Sequence, residues 1–136
     1  MKRYLFSYGT LRPRHAPAEI APTVRLLRRV GRGSVRGRLY DLGEYPGAVL
    51  SRTGPAIAGQ IFELPEDPDV LRRLDEYEGF DPSHTQGSLF VRMKWPVTLQ
   101  NGKKLSCWVY AYNGSPDRAR SITRGDYSKP RKQKRS

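Results

Sequence analysis

The chain has 136 residues, the length of one ordinary domain, and its single cysteine excludes both an internal disulfide framework and a multi-cysteine zinc site. The formal net charge of +12 would attract anionic partners, but much of the excess lies in a C-terminal tail and in an arginine series typical of a solvated strand face. Basic attraction to phosphates is independent of sequence, so the net charge alone does not indicate specific binding of a nucleic acid. We expect the arginines to form a solvated surface and do not expect a nucleic-acid partner to be the function of this charge.

The N-terminus lacks the long apolar region and the cleavage site of a secretory signal, and no apolar run has the length of a membrane span. We therefore expect a cytoplasmic protein with no membrane partner.

The first half of the chain is predicted to be mostly extended. An aromatic-rich strand over residues 3–8 ends at Gly9 in a tight turn, and prolines then leave room only for a short helix around residues 18–21. Residues 24–40 are predicted to be extended, with glycines marking bends or bulges, and a further strand is predicted over residues 57–64.

One segment has a clear helical pattern. Asp67 is suited to the N-cap, Pro68 to the first helical position and Gly79 to the end of the helix. Apolar residues at helical spacing define the face that looks into the protein: Val70, Leu71, Leu74 and Tyr77.

A carboxylate shares that apolar face. Glu78 follows Leu74 by four residues and projects from the same side, whereas Glu76 and Arg72 do not. A carboxylate taken out of water is driven toward a higher pKa unless a cation or several donors hold it charged, and such an acid suits proton transfer. From the residues alone, a structural ion pair or a solvent-facing Glu78 in a frayed last turn stays an open alternative.

The second half predicts a β-hairpin. Residues 90–100 alternate between apolar and polar side chains, Asn101-Gly102 is a strong turn signal, and residues 103–112 should return antiparallel. Both faces of the return strand are apolar or aromatic, so we expect it to be central, whereas Pro96 favours an edge position or a bulge for the first strand. Many strands and one clear helix indicate an α+β domain on a curled or closed sheet.

The remaining reactive side chains give weak signals. His15 and His84 lie in polar loops without further ligands at suitable spacing, so we expect neither a metal site nor a cofactor. Cys107 is predicted to be a small buried hydrophobe. Tyr8-Gly9-Thr10-Leu11 is a turn whose backbone amides could face a carboxylate or an oxyanion, although an ordinary turn has the same pattern.

Three motifs occur together in one order: Tyr8-Gly9-Thr10-Leu11, Gly37-Arg38-Leu39-Tyr40-Asp41-Leu42-Gly43 with Tyr45-Pro46, and Leu74-Asp75-Glu76-Tyr77-Glu78-Gly79. In this combination residues 3–112 resemble the gamma-glutamylcyclotransferase-like family. The resemblance implies a small mixed or antiparallel β-barrel with flanking short helices and a cavity at one end. We accordingly expect a domain over residues 1–115 and a C-terminal extension over residues 116–136 with a basic, disordered tail.

The resemblance also implies a function. Members of this family convert a γ-glutamyl amine or peptide into 5-oxoproline and a free amine, and their essential glutamate corresponds to Glu78, as general acid and base. Their substrate-holding loop corresponds to Tyr8, Gly9, Thr10 and Leu11. Arg92 and Tyr110, which follow the helix, are further candidates for substrate binding, although core packing is the simpler account of the tyrosine.

Two points limit the resemblance. Many relatives have a tyrosine two residues before the arginine, where this chain has Phe90, so a contact made by that hydroxyl is lost. The fold also does not guarantee the activity, so a non-catalytic small-molecule-binding or regulatory module is the alternative, and a basic surface binder using the tail is a weaker one. The sequence leaves the oligomeric state and the substrate open.

Overall fold

The computed structural model describes residues 2–8, 18–42, 46–114 and 120–122, the last three through their backbone alone. These ranges contain seven strands, two α-helices and a short 3₁₀ turn: β1 (Arg3–Ser7), α1 (Ala21–Val24), β2 (Arg28–Asp41), β3 (Pro46–Leu50), β4 (Ala56–Leu64), α2 (Pro68–Glu78), the 3₁₀ turn (Thr85–Gly87), β5 (Phe90–Leu99), β6 (Lys104–Tyr112) and β7 (Arg120–Ile122). None of the helices in these ranges is long and apolar enough to cross a membrane.

Five of the strands close into a barrel. The hydrogen-bonded order is β2, β4, β1, β6 and β5, in which β1 and β6 run parallel and the other neighbours run antiparallel. The ring closes where Gly33 and Ser34 of β2 pair with Leu99 and Thr98 of β5. The expected mixed barrel with flanking short helices is therefore confirmed, and β3 and β7 extend the sheet along the far half of β2.

The seam of the barrel depends on a glycine. A Cβ atom at Gly33 would lie 2.8 Å from Cγ1 of Val97 and 2.9 Å from the carbonyl oxygen of Thr98. Because such distances are well inside van der Waals contact, only a residue without a side chain lets β2 approach β5 this closely.

Strand alternation divides the core into two parts. The first, the lumen cluster, fills the barrel and consists of Phe6, Tyr8, Val35, Leu39, Ala48, Ile57, Ile61, Val97, Cys107 and Val109. The second, the helix-covered cluster, lies between the outer barrel surface and the two helices and consists of Leu5, Ile20, Val24, Leu27, Phe62, Leu64, Val70, Leu71, Leu74, Phe90 and Tyr110. Neighbouring residues of one strand thus serve different cores.

The predicted helix is confirmed as α2. The side chain of Asp67 accepts a hydrogen bond from the backbone N–H of Asp69 at 3.0 Å, as an N-cap should, and Pro68 begins the helix. Gly79 ends it in the left-handed region with φ of 77°. Because both ends are fixed by local chemistry, the helical phase of the residues between them is fixed as well.

The predicted hairpin is also confirmed. The backbone N–H of Gly102 donates to the Leu99 carbonyl at 3.0 Å, and the N–H of Leu99 donates to the Lys103 carbonyl at 2.7 Å. Gly102 has a φ of 88°, so it provides the left-handed residue that a bulged hairpin turn requires. The return strand β6 is central, between β1 and β5, as the two apolar faces predict.

Two boundaries differ from the prediction. The short helix lies at Ala21–Val24 rather than at residues 18–21, because Pro22 occupies the first turn, where its missing N–H costs nothing. The extended segment consequently begins at Arg28 rather than at Val24. Within the predicted C-terminal extension, β7 pairs its backbone with Leu39–Asp41 of β2, and the other residues after Gly114 lie outside the described ranges.

Candidate active site

The inner side of α2 carries two acidic residues. Asp75 is buried and Glu78 is partly buried, whereas Arg72 and Glu76 on the opposite side of the helix are exposed. The helical phase of Glu78 is therefore as predicted. Asp75, three residues earlier, was not among the predicted site residues, although the same helical wheel places it at the edge of the inner face.

Tyr8 lies directly after β1 and is buried. Its hydroxyl donates a hydrogen bond to the carbonyl oxygen of Tyr110 at 2.5 Å and accepts one from the backbone N–H of Ala48 at 3.0 Å. Burial raises the pKa of the Tyr8 hydroxyl well above its usual value, and the negative charge of Glu78 raises it further. The phenol is therefore a neutral, fixed group within the electrostatic reach of Glu78.

Tyr110 on β6 links the strands to the helix. Its buried hydroxyl donates a hydrogen bond of 2.6 Å to Oδ1 of Asp75. Burial raises the pKa of Tyr110, as do the hydrogen bond to Asp75 and the charges of Asp75 and Glu78. The charge of Glu78 acts on Tyr8 as well as on Tyr110. The last turn of α2 therefore lies close to the end of β1, which Tyr8 follows, and to the end of β6, which carries Tyr110.

Arg92 on β5 binds the same carboxylate. Its Nε donates to Oδ1 of Asp75 at 2.8 Å and its Nη2 donates to Oδ2 at 3.1 Å, which is the two-pronged geometry preferred by guanidinium and carboxylate. The guanidinium also lies over the ring of Trp108, 4.4 Å from its centroid, and 5.6 Å from that of Phe80. The strand alternation correctly places Arg92 outside the barrel, but that surface is covered by α2 and is not solvent.

The other candidates divide into two groups. Gly9, Thr10, Leu11 and His15 lie outside the described residues, so the predicted substrate-holding loop is represented here by Tyr8 alone. Roles in substrate binding for Arg92 and Tyr110 stay predictions, although the contacts to Asp75 already engage the Nε and Nη2 donors of Arg92 and the Tyr110 hydroxyl.

His84 and Cys107, for which the sequence predicts no role in catalysis, lie in other parts of the structure. His84 is exposed and lies 3.3 Å from the carboxylate of Asp81 in the loop after α2. Cys107 is buried in the lumen cluster, and burial raises the pKa of its thiol to about 12. No group of three His, Cys, Asp or Glu side chains that could hold a metal ion occurs within the described ranges, and the lack of a cofactor stays a prediction.

Phe90, for which the sequence resemblance led us to expect a tyrosine, is a core residue. It is buried in the helix-covered cluster, and its ring meets that of Tyr112 edge to face with centroids 6.0 Å apart. The packing explains how a residue without a hydroxyl is accommodated at this position.

The other flank of α2 borders an open cleft of about 550 Å³ beside α1. Its lining includes the charged side chains of Glu19, Arg73 and Glu76, together with Tyr77. The cleft and the Asp75 contacts therefore lie on different sides of the same helix.

Comparison with known proteins agrees with this architecture. The family model described as "Gamma-glutamyl cyclotransferase, AIG2-like" matches residues 5–129. The chain belongs to the gamma-glutamyl cyclotransferase, AIG2-like family. The match includes β7, so this family's domain extends beyond residues 3–112, to which the sequence resemblance was assigned.

Individual relatives span most of the chain. A protein of Methanocaldococcus jannaschii named "Putative gamma-glutamylcyclotransferase MJ1514" is 28% identical over 111 residues, which cover 80% of this chain and 83% of the relative. The crystal structure of an AIG2-like protein from Mus musculus superposes with a TM-score of 0.68 at 23% identity, over 98% of this chain and 99% of that one. The solution structure of YtfP from Escherichia coli has a TM-score of 0.64 at 26% identity, over 92% and 96% of the two chains.

Proposed function

We propose that this protein is a gamma-glutamylcyclotransferase-type enzyme that converts a small γ-glutamyl amine or peptide into 5-oxoproline and the free amine, with Glu78 as general acid and base. The proposal is carried by the position of Glu78. It is the partly buried carboxylate at the end of α2, and its charge reaches both Tyr8, where the predicted substrate-holding loop begins, and Tyr110. Membership of the gamma-glutamyl cyclotransferase, AIG2-like family supports the reaction class.

The reaction requires two proton movements and one ring closure. The Glu78 carboxylate would take a proton from the α-ammonium group of the substrate, which frees the nitrogen lone pair to attack the γ-carbonyl carbon. A new C–N bond closes the five-membered ring. The protonated Glu78 then gives its proton to the departing amine nitrogen as the original γ-amide bond breaks. The second proton of the ring nitrogen passes to the released amine, which leaves as an ammonium ion, so the enzyme ends in its starting state.

The protein's main task in such a reaction is to fold the substrate correctly. Nucleophile and electrophile belong to one molecule, so holding the glutamyl chain in a ring-closing pose removes most of the entropic barrier. The predicted loop at residues 8–11 would bind the glutamyl portion through backbone groups, and amides there would meet the negative charge that develops on the γ-carbonyl oxygen. Tyr8, fixed by Ala48 and Tyr110, gives this loop a rigid starting point.

The test is an assay for amine release and 5-oxoproline formation across a panel of γ-glutamyl amines and peptides. Positioned acid–base transfer is worth about 10²- to 10⁴-fold, so Glu78→Gln should lower kcat by that factor without unfolding the protein. Glu76→Gln is the matched control, because Glu76 is two residues away, is exposed, and forms an ion pair of 3.4 Å with the exposed Arg72.

Two results would contradict the proposal. Wild-type turnover in a folded Glu78→Gln variant would remove Glu78 from the reaction, and failure of the wild-type protein to produce 5-oxoproline from any compound of the panel would remove the activity itself. Saturable binding without turnover would favour the non-catalytic module on the same fold.

A further inference from the structure

The salt bridge between Asp75 and Arg92 is unusual for its burial. Only 8% of the Asp75 side chain and 16% of the Arg92 side chain are exposed to solvent, whereas the ion pairs on the outer side of α2 join side chains that are more than half exposed. Removing two charges from water is costly unless geometry and additional hydrogen bonds compensate, so the burial of this pair is not by itself an indication that it stabilises the fold.

The bonding around this pair is nearly complete. Oδ1 of Asp75 accepts from both Arg92 and the Tyr110 hydroxyl, while Oδ2 accepts the second guanidinium bond. The guanidinium is further held against the face of Trp108. One carboxylate therefore ties α2 to β5 and β6 through short, directional contacts.

The same contacts lead to the proposed active site in two ways. Asp75 precedes Glu78 by three residues on one helix, so the two carboxylates lie on adjacent turns of the same side. The carbonyl oxygen of Tyr110 in turn accepts a hydrogen bond from the hydroxyl of Tyr8, which is at the start of the predicted substrate-holding loop. Asp75 is thus connected to both components of the proposed reaction site.

We propose that Asp75 is a positioning residue, which neutralises Arg92 one helical turn from Glu78 and, through Tyr110, holds the Tyr8 hydroxyl in place. The effect of Asp75 on catalysis, as inferred here, rests on the proposed function. It also assigns Arg92 a role different from direct substrate binding: the guanidinium would set the charge balance around Glu78, with Asp75 as its counter-ion.

The sign of the electrostatic effect follows from the groups around Glu78. Among the described residues, the charged and titratable side chains on this part of α2 and on the elements packed against it include Asp75 and Tyr77 on the helix itself, Tyr8 after β1, Arg92 and Lys94 on β5, and Tyr110 and Tyr112 on β6; α1 carries none. Removing the charge of Asp75 leaves Arg92 uncompensated, which favours ionised Glu78. Removing the charge of Arg92 leaves Asp75 uncompensated, which opposes ionisation.

The experiment follows the titration of Glu78 by carbon NMR of protein labelled with ¹³C at the glutamate carboxyl carbons. The signal of Glu78 is identified as the one that Glu78→Gln removes. We expect Asp75→Asn to lower the titration midpoint by about one pH unit and Arg92→Gln to raise it by about as much. The double variant Asp75→Asn/Arg92→Gln should return the midpoint close to the wild-type value, because it restores the net charge.

Kinetic measurements separate charge from position. Arg92→Lys keeps the positive charge but loses the two-pronged geometry, so it should leave the midpoint near the wild-type value and lower kcat about tenfold or more. Tyr110→Phe removes the hydroxyl that joins Asp75 to β6 and should likewise lower kcat without reversing the charge balance. A salt bridge that only maintained the fold would leave kcat at the wild-type value in folded Arg92→Lys and Tyr110→Phe, whatever the midpoints of the single variants.

Unchanged midpoints in the folded single variants, or shifts of the same sign, would overturn the inference. If Asp75→Asn does not fold, Arg92→Gln and the double variant still supply the upward shift and its reversal. The titration needs no substrate, so a failure of the proposed activity would appear in the 5-oxoproline assay alone and would leave this test intact.

Discussion

The lumen cluster and the helix-covered cluster are built from the same strands but have different contents. Phe6 and Val109 face the lumen, whereas Leu5 and Tyr110, their neighbours on β1 and β6, face the helices. The lumen holds no charged side chain among the described residues, while the surface under α2 includes a carboxylate and a guanidinium in contact with it. The alternation of a strand thus separates an uncharged lumen from an outer surface that carries the Asp75–Arg92 pair, and Tyr8 of the lumen cluster is joined to that surface through Tyr110.

Two truncations of equal burial test this division most strongly. Ile61 in the lumen and Leu74 under α2 are both fully buried, so Ile61→Ala and Leu74→Ala should each lower the free energy of unfolding by about 2–5 kcal/mol. Only Leu74→Ala should also lower kcat, because Leu74 directly precedes Asp75 and supports the turn that carries Glu78. Urea unfolding and turnover at a temperature where both variants are folded provide the comparison, and equal losses of kcat would erase the distinction.

A smaller effect on stability is expected from Cys107, the ionisable thiol of the lumen cluster. Burial raises the pKa of Cys107 to about 12, so above pH 9 the unfolded chain releases this proton and the folded protein does not. The unfolded state then binds fewer protons, and stability must fall as the pH rises. Between pH 8 and pH 10 the wild type should lose about 1.5 kcal/mol more than Cys107→Ala, as measured by urea unfolding.

The buried tyrosines titrate in the same direction, but they are present in both proteins and cancel in this comparison. Equal pH dependence of the wild type and Cys107→Ala would show that the thiol ionises as readily in the folded lumen as in the unfolded chain.

The smallest effect is expected on the exposed side of α2. Arg72 lies 2.9 Å from Asp69 and 3.4 Å from Glu76, but all three side chains are more than half exposed. Exposed pairs of this kind contribute about 0.2–1 kcal/mol and are screened by salt. Arg72→Ala should therefore leave both the urea midpoint of unfolding and kcat close to their wild-type values. A marked fall of the midpoint, or a change in turnover, would mean that the outer side of the helix takes part in the site.

The parts of the structure that sequence could predict are those with local causes. The ends of α2 follow from Asp67, Pro68 and Gly79, and the β5–β6 turn follows from Gly102, because each residue satisfies a requirement of its own few neighbours. The same local reasoning places Glu78 on the inner side of α2. The predicted position of α1 was wrong, because a proline was expected to interrupt the helix, whereas Pro22 lies in its first turn.

Asp75 shows why the rest of the site was missed. Its burial depends on Arg92, which is 17 residues away and on another element. The alternation of β5 indicated only that Arg92 points away from the barrel lumen, and no sequence pattern reveals that a helix covers the outer surface at that point. A prediction of the pair would have required the packing of α2 against β5 and β6, which is a property of the whole fold.

The parallel pairing of β1 with β6 has a consequence for the order of assembly. Leu5 and Phe6 pair with Trp108 and Val109, and the hydrogen bond from Tyr8 to Tyr110 spans 102 positions of sequence. Contacts so distant form slowly, and a chain emerging from the ribosome must wait for its sixth strand before β1 has both of its neighbours. A polypeptide that ends before β5 has Asp75 but neither Arg92 nor Tyr110 to bind its carboxylate, so the proposed site would be complete only after the last barrel strand has been synthesised.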